Sequence, residues 1–180
     1  GGFHQKEAPE WIGAEEPYQL LKDRSDVLSF ETDPLEDDTE VTGEVMIKLW
    51  VSSTAVDTDF TVKLVDVYPS SDDYPAGFHL NLTDTILRAR YRNSWTDPEM
   101  MTPGEPVELS IALWPVSNVF KKRHRIRFDV SSSNFPRFDV NPNTGEPVGR
   151  HTSMVNADNT VHTGSDYPSR LVLPIIPAGN

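Results

Sequence analysis

The sequence predicts an all-β fold of the sandwich or barrel class, and three observations carry the prediction. Apolar residues recur with a period of two, clusters of Pro, Gly, Asn and Asp punctuate the apolar runs, and no stretch repeats with a helical period. Long connections between hairpin-like pairs favour Greek-key or jelly-roll wiring over a simple meander. A length of 180 residues suits one domain with its own core.

Taken in order, "VLSFET" (27–32) is the first strand, bounded by the Asp33-Pro34 turn signal. In "EVTGEVMIKLWVSS" (40–53), Val45, Ile47, Leu49 and Val51 fall on one face with Glu44, Met46, Lys48 and Trp50 on the other, the alternation of a half-buried strand. "TDFTVKLVDVY" (58–68) repeats it with Phe60, Val62 and Leu64, and Asp66 next in register. Further strands are expected at 78–84, 86–92, 106–114, 125–132, 159–164 and 169–176, about nine in all. Most prolines lie between these runs, where a missing N–H breaks no ladder. Residues 1–26 resist the pattern: Phe3, Trp11, Ile12, Tyr18 and Leu20 stand isolated among Gly, Pro and acidic residues. This implies an extended segment laid against a surface, preceding a sandwich domain at 27–180.

A net charge of -12 opposes nucleic acid and anionic membranes, because association with either begins in repulsion. No apolar run approaches the roughly 18 residues of a membrane span, and the first residues lack the regions of a signal peptide, so the compartment, cytoplasmic or secreted, stays open. The absence of cysteine excludes disulfides, thiolate nucleophiles and Cys-ligated zinc.

No nucleophile elbow, HExxH helix, P-loop or dinucleotide fingerprint occurs, so no catalytic residue, metal or cofactor is assigned. Asp57 and Asp59 share a face at the start of a strand; they suit a cation or a substrate amine, or, more plainly, a turn cap and a cross-strand hydrogen bond. Trp95, in "RNSWTDPE", is the candidate for exposure and sugar stacking, whereas Trp50 and Trp114 fall in strands and read as packed. The loop "SSSNFPRFDVNPNTG" (131–145) offers Asn134, Asn141 and Asn143, whose amides bond nearby backbone, and Phe135 and Phe138, which suit an apolar recess. It reads either as a plug over the domain's own core or as a docking element.

Several ordered blocks over 27–176 then stand out: "DVLSFETDPLEDDTEVTGEV", "VSSTAVDTDFTVKLVDVYP", "LTDTILRARYR", "NVFKKRHRIRFDVSSSNFPRFDVNPNTG" and "YPSRLVLPII". They resemble the C-terminal domain of the X-prolyl dipeptidyl-peptidase and cocaine-esterase family of serine hydrolases. The resemblance implies a jelly-roll β-sandwich of the galactose-binding-domain-like type, attached to an α/β-hydrolase catalytic domain of the same polypeptide that holds the whole triad. It implies an accessory role, walling the substrate pocket of an enzyme that cleaves esters or amides. Phe3, Asp57, Asp59, Phe60, Asn134, Phe135, Arg137, Phe138 and Asn141 become candidates for pocket or interdomain contact. The alternatives are a free-standing carbohydrate-binding module and a structural sandwich that forms a homo-oligomer. "FKKRHRI" (120–126) departs from the family in carrying Lys-Arg where a small residue and glycine precede the histidine, and 70–84 carries a longer hairpin loop.

Overall fold

The computed structural model describes residues 24–147 and 149–177. Eleven strands account for nearly all the regular structure among them. β1 (Val27–Glu31), β8 (Arg125–Ser131), β4 (Asp59–Tyr68) and β5 (Phe78–Arg88) form one antiparallel sheet in that order. Facing it, β3 (Met46–Ser53) pairs with β6 (Val107–Ala112) on one side and, on the other, with β9 (Asn159–His162) and β10 (Arg170–Val172) at successive positions. β2 (Thr39–Gly43), flanked by β7 (Val116–Phe120) and β11 (Ile175–Ile176), completes the second layer. Neighbours remote in sequence, such as β1 beside β8 and β3 beside β10, give the sandwich its jelly-roll wiring.

The core lies between the layers. Val45, Ile47, Leu49 and Val51 are fully buried against Phe60, Val62, Leu64, Leu109, Ile111, Phe120 and Val130, the faces that alternation assigns. Each such side chain contributes about 1.5–3 kcal/mol on burial. Asp66 closes the β4 row on the same face, 1% exposed, and is satisfied by His124 Nδ1 at 2.8 Å and by the Asn118 amide at 3.2 Å.

The structure corrects four strand expectations. Residues 40–53 form two strands, because Gly43 adopts φ +135° and a Cβ there would stand 3.2 Å from the Pro174 ring; the chain changes partners at that point. The strands expected at 78–84 and 86–92 are one, β5, with an extra residue at Leu82 where pairing shifts between Leu64 and Val65, followed by a 3-10 turn at Ala89–Tyr91. The last expected strand divides around Leu173-Pro174 into β10 and β11. β7, whose central residues are polar or exposed, was absent from the prediction. Among the described residues no helix is long and apolar enough to cross a membrane.

Candidate functional site

Three loops, the two longest among them, leave the same end of the sandwich. β3 and β8 end there, and β4, β6 and β9 begin there, so the connections 54–58, 89–106 and 132–158 meet. Two buried polar knots lock them.

The first knot forms around the paired aspartates. Asp57, fully buried, accepts the Arg90 backbone N–H at 3.0 Å on Oδ1, capping the 3-10 turn. Its Oδ2 takes Arg90 Nε at 2.8 Å and the second guanidinium nitrogen at 2.7 Å. Asp59 receives Arg88 of the adjacent strand in a bidentate pair at 2.8 and 3.0 Å, which raises the pKa of that guanidinium. Asn141 Nδ2 bridges both carboxylates at 2.9 and 2.8 Å, while its Oδ1 accepts Asn143 N–H at 2.9 Å in an Asx turn. Arg90 also donates to the Gly145 and Glu146 carbonyls at 3.3 and 3.1 Å. Gly145 has φ +75°, and an added Cβ would meet Val56 Cγ2 at 3.2 Å, so the loop closes against the 54–58 connection. The aspartates are thus held by guanidinium partners. Among the described residues no group of three His, Asp or Glu could hold a metal.

The second knot sits on the outer face of the β1-β8-β4-β5 sheet. Lys63 (3% exposed), Asp84 and Asp129 share that face, since Lys63 stands opposite both carboxylates in register. Asn134, 1% exposed, accepts Lys63 Nζ at 3.2 Å and donates to Asp84 Oδ2 at 2.8 Å; its carbonyl accepts the N–H groups of Arg137 and Phe138. Arg137 reaches Asp84 at 3.3 Å with its guanidinium carbon 5.5 Å from the Phe138 ring centre. Burial lowers the Lys63 pKa to about 8, against the opposing pull of Asp84 and Asp129.

Pinned this way, the loop turns apolar groups outward. Phe135 is 59% exposed and follows no recess; Phe138 is half-buried. Val140, Met154 and Val155 of the same connection, and Trp95 and Met100 of the 89–106 loop, are exposed as well. The expected insertion of Phe135 is corrected accordingly: Asn134 and Asn141 are the buried anchors and Phe135 faces solvent. Phe60 stands apart from the other candidates, 1% exposed in the core on the opposite face of β4 from Asp59, touching solvent only as a wall of a 390 Å³ cavity beside Ser25, Asp26 and Leu28. Phe3 lies outside the described residues. Trp95 is 76% exposed with Tyr91 near-parallel at 6.4 Å; Trp50 packs on Tyr167 at 5.1 Å; Trp114, expected to pack, is 70% exposed in the turn after β6. Sequence reasoning missed Arg88, Arg90, Lys63, Asp84 and Asp129. One signal was present: "LRAR" spaces two arginines as "DTD" spaces two aspartates.

The X-Pro dipeptidyl-peptidase C-terminal non-catalytic domain family matches residues 4–172. The chain is 48% identical over 158 residues to the cocaine esterase of Rhodococcus sp. (strain MB1 Bresler), covering 87% of this chain and 26% of that protein. Solved structures of an α-amino acid ester hydrolase (32% identical) and of an aminopeptidase from a marine sediment Thaumarchaeota archaeon (33%) each superpose with a TM-score of 0.82 over 87% of this chain. The chain covers 26% and 27% of those two chains, about a quarter of the length of the relatives it matches.

Proposed function

Since the chain belongs to the family of X-Pro dipeptidyl-peptidase C-terminal non-catalytic domains, we propose that it serves as the accessory sandwich of a serine acyl hydrolase. In this reading the loop end packs on an α/β-hydrolase domain of the same polypeptide and helps wall its substrate pocket. Cocaine esterase, the ester hydrolase and the aminopeptidase all carry names of acyl-bond chemistry, which supports an ester or amide substrate class.

The observation that carries the docking role is a loop pinned by buried Asn134 and Asn141 while its Phe135, Val140, Met154 and Val155 face solvent. A folded domain seldom exposes such a patch without a partner surface. In the intact enzyme, serine attack, acyl-enzyme formation and hydrolysis take place in the other domain. This domain excludes water and holds the pocket's shape, and preorganisation is what its buried, ion-paired knots supply. Phe3 is proposed as a pocket contact on the family resemblance. The sugar-binding alternative rests on Trp95, whose position at the loop end suits docking equally.

The test uses the full-length enzyme. Phe135→Asp and Val140→Asp together should lower its melting temperature and raise KM, whereas Trp114→Asp, at the far end, leaves both unchanged. Identical kinetics and melting for the double variant, Trp114→Asp and the unsubstituted enzyme over several esters and amides would sink the docking role.

A further inference from the structure

β4 spans about 30 Å at 3.3 Å per residue, so its C-terminal end is remote from the docking loops. There the turn between β7 and β8 carries Lys121, Lys122, Arg123 and His124, and β8 opens with Arg125, a basic tract in a chain of net charge -12. Its anionic neighbours are accounted for. Asp38 holds Lys121 at 2.7 Å and the Lys122 backbone at 2.8 Å, Asp66 holds His124 at 2.8 Å, and Glu31 stands 3.4 Å from Arg125. Among the described residues the Arg123 guanidinium has no ion-pair partner within 4.0 Å.

Arg123 is also held at φ +73°, a left-handed backbone conformation that glycine or asparagine adopts readily and arginine does not. Its N–H bonds to the Leu35 carbonyl at 2.8 Å, so the fold imposes the conformation. A bulky residue kept at a strained position points to what its side chain does. The side chain lines a hollow of about 220 Å³ with Arg125, Tyr68, Pro34, Val67 and Pro69. This is smaller than the ~300–1,000 Å³ of sites for drug-sized ligands, and it suits one small molecule or one side chain. Arg123, Arg125 and Tyr68 line it together with walls of proline and valine, and Arg125 Nη1 also donates to the Thr32 carbonyl at 2.9 Å. Burial, then Asp66 and Tyr74, hold the Tyr68 pKa above its ordinary value, so the phenol stays a donor at neutral pH.

We propose that this hollow binds a small carboxylate with an apolar or aromatic body, Arg123 and Arg125 taking the carboxylate and Pro34, Val67 and Pro69 the body. Guanidiniums match a carboxylate in planar, paired geometry, and this basic turn gives an anion a locally positive site on a chain of negative net charge. The site lies at the other end of the sandwich from the docking face and stands without it.

Titrating the 15N-labelled chain with sodium benzoate should give saturable amide shifts confined to Tyr68, Arg123 and Arg125 and their neighbours, with Kd on the order of 1 mM. Benzamide, of the same shape without charge, should leave them unmoved. Arg123→Asn, which suits the left-handed turn, should weaken binding about tenfold, as one lost charged contact of this kind does; Arg123→Gly replaces it if that variant folds poorly. Shifts of equal size with benzamide, or unchanged binding in the folded variant, overturn the site. A short peptide ending in phenylalanine distinguishes the source. Binding tighter than benzoate, lost on C-terminal amidation, assigns a polypeptide terminus, and weaker binding assigns a free acid.

Discussion

Replacing Asp57 by Asn tests whether the first knot holds the loop end together. The carboxylate is fully buried and accepts the Arg90 backbone N–H, two guanidinium N–H groups and the Asn141 amide. An amide of the same shape keeps one acceptor oxygen and turns two donors toward groups that are themselves donors. Arg90, 4% exposed, would retain only the Gly145 and Glu146 carbonyls. Removing one partner of a buried pair costs about 3–5 kcal/mol, since the remaining charge stays desolvated. With a urea m-value of about 2 kcal/mol/M, the midpoint should fall by about 2 M. Hydrogen exchange should speed up first at Asn143 and Gly145, which the knot positions. Changing Arg90 to Met as well removes the stranded charge, so the double variant should recover more than half of the loss, because an apolar replacement of a buried pair is often close to neutral. A loss below about 1 kcal/mol for Asp57→Asn, or a double variant as unstable as the sum of its singles, would refute the argument.

Two further outcomes follow from single side chains. Lys63 has its folded pKa lowered to about 8 from 10.5, so between those values the unfolded chain binds more protons and stability rises with pH. Tyr68, whose folded pKa is raised, erodes stability only above its ordinary value of 10.0, which leaves pH 8 to 10 as the clean window. Urea melts across it should show a gain of about 2 kcal/mol that Lys63→Met abolishes, and a flat profile would contradict it. Arg123→Gly should stabilise the domain by about 0.5–1 kcal/mol: relief of the left-handed strain, about 1–2 kcal/mol, outweighs the added freedom of the unfolded chain. That is a rise of a few degrees in melting temperature, and a fall would show that the Arg123 side chain stabilises its turn.

Alternation with a period of two is a local property, and wherever one face of a strand meets the core it was legible in the sequence. Val45 to Val51 and Phe60 to Leu64 are buried as their spacing dictates, and the blocks of family resemblance run through these same strands. Strand limits were less legible, because Gly43 and Pro174 change the partners of the chain without changing its hydrophobic rhythm. The aspartate pair and the three asparagines were visible as residues suited to turns, but their partners were not. Asn141 meets Asp57 across 84 positions and Asn134 meets Asp84 across 50. A buried charge is tolerated only where the opposite charge arrives, and that depends on which strands become neighbours. Sequence by itself determined the sandwich, its apolar face and its family. Tertiary structure alone decided that Asn134 and Asn141 point inward and Phe135 outward, since a loop's buried side follows the polar groups waiting on the sheet beneath it.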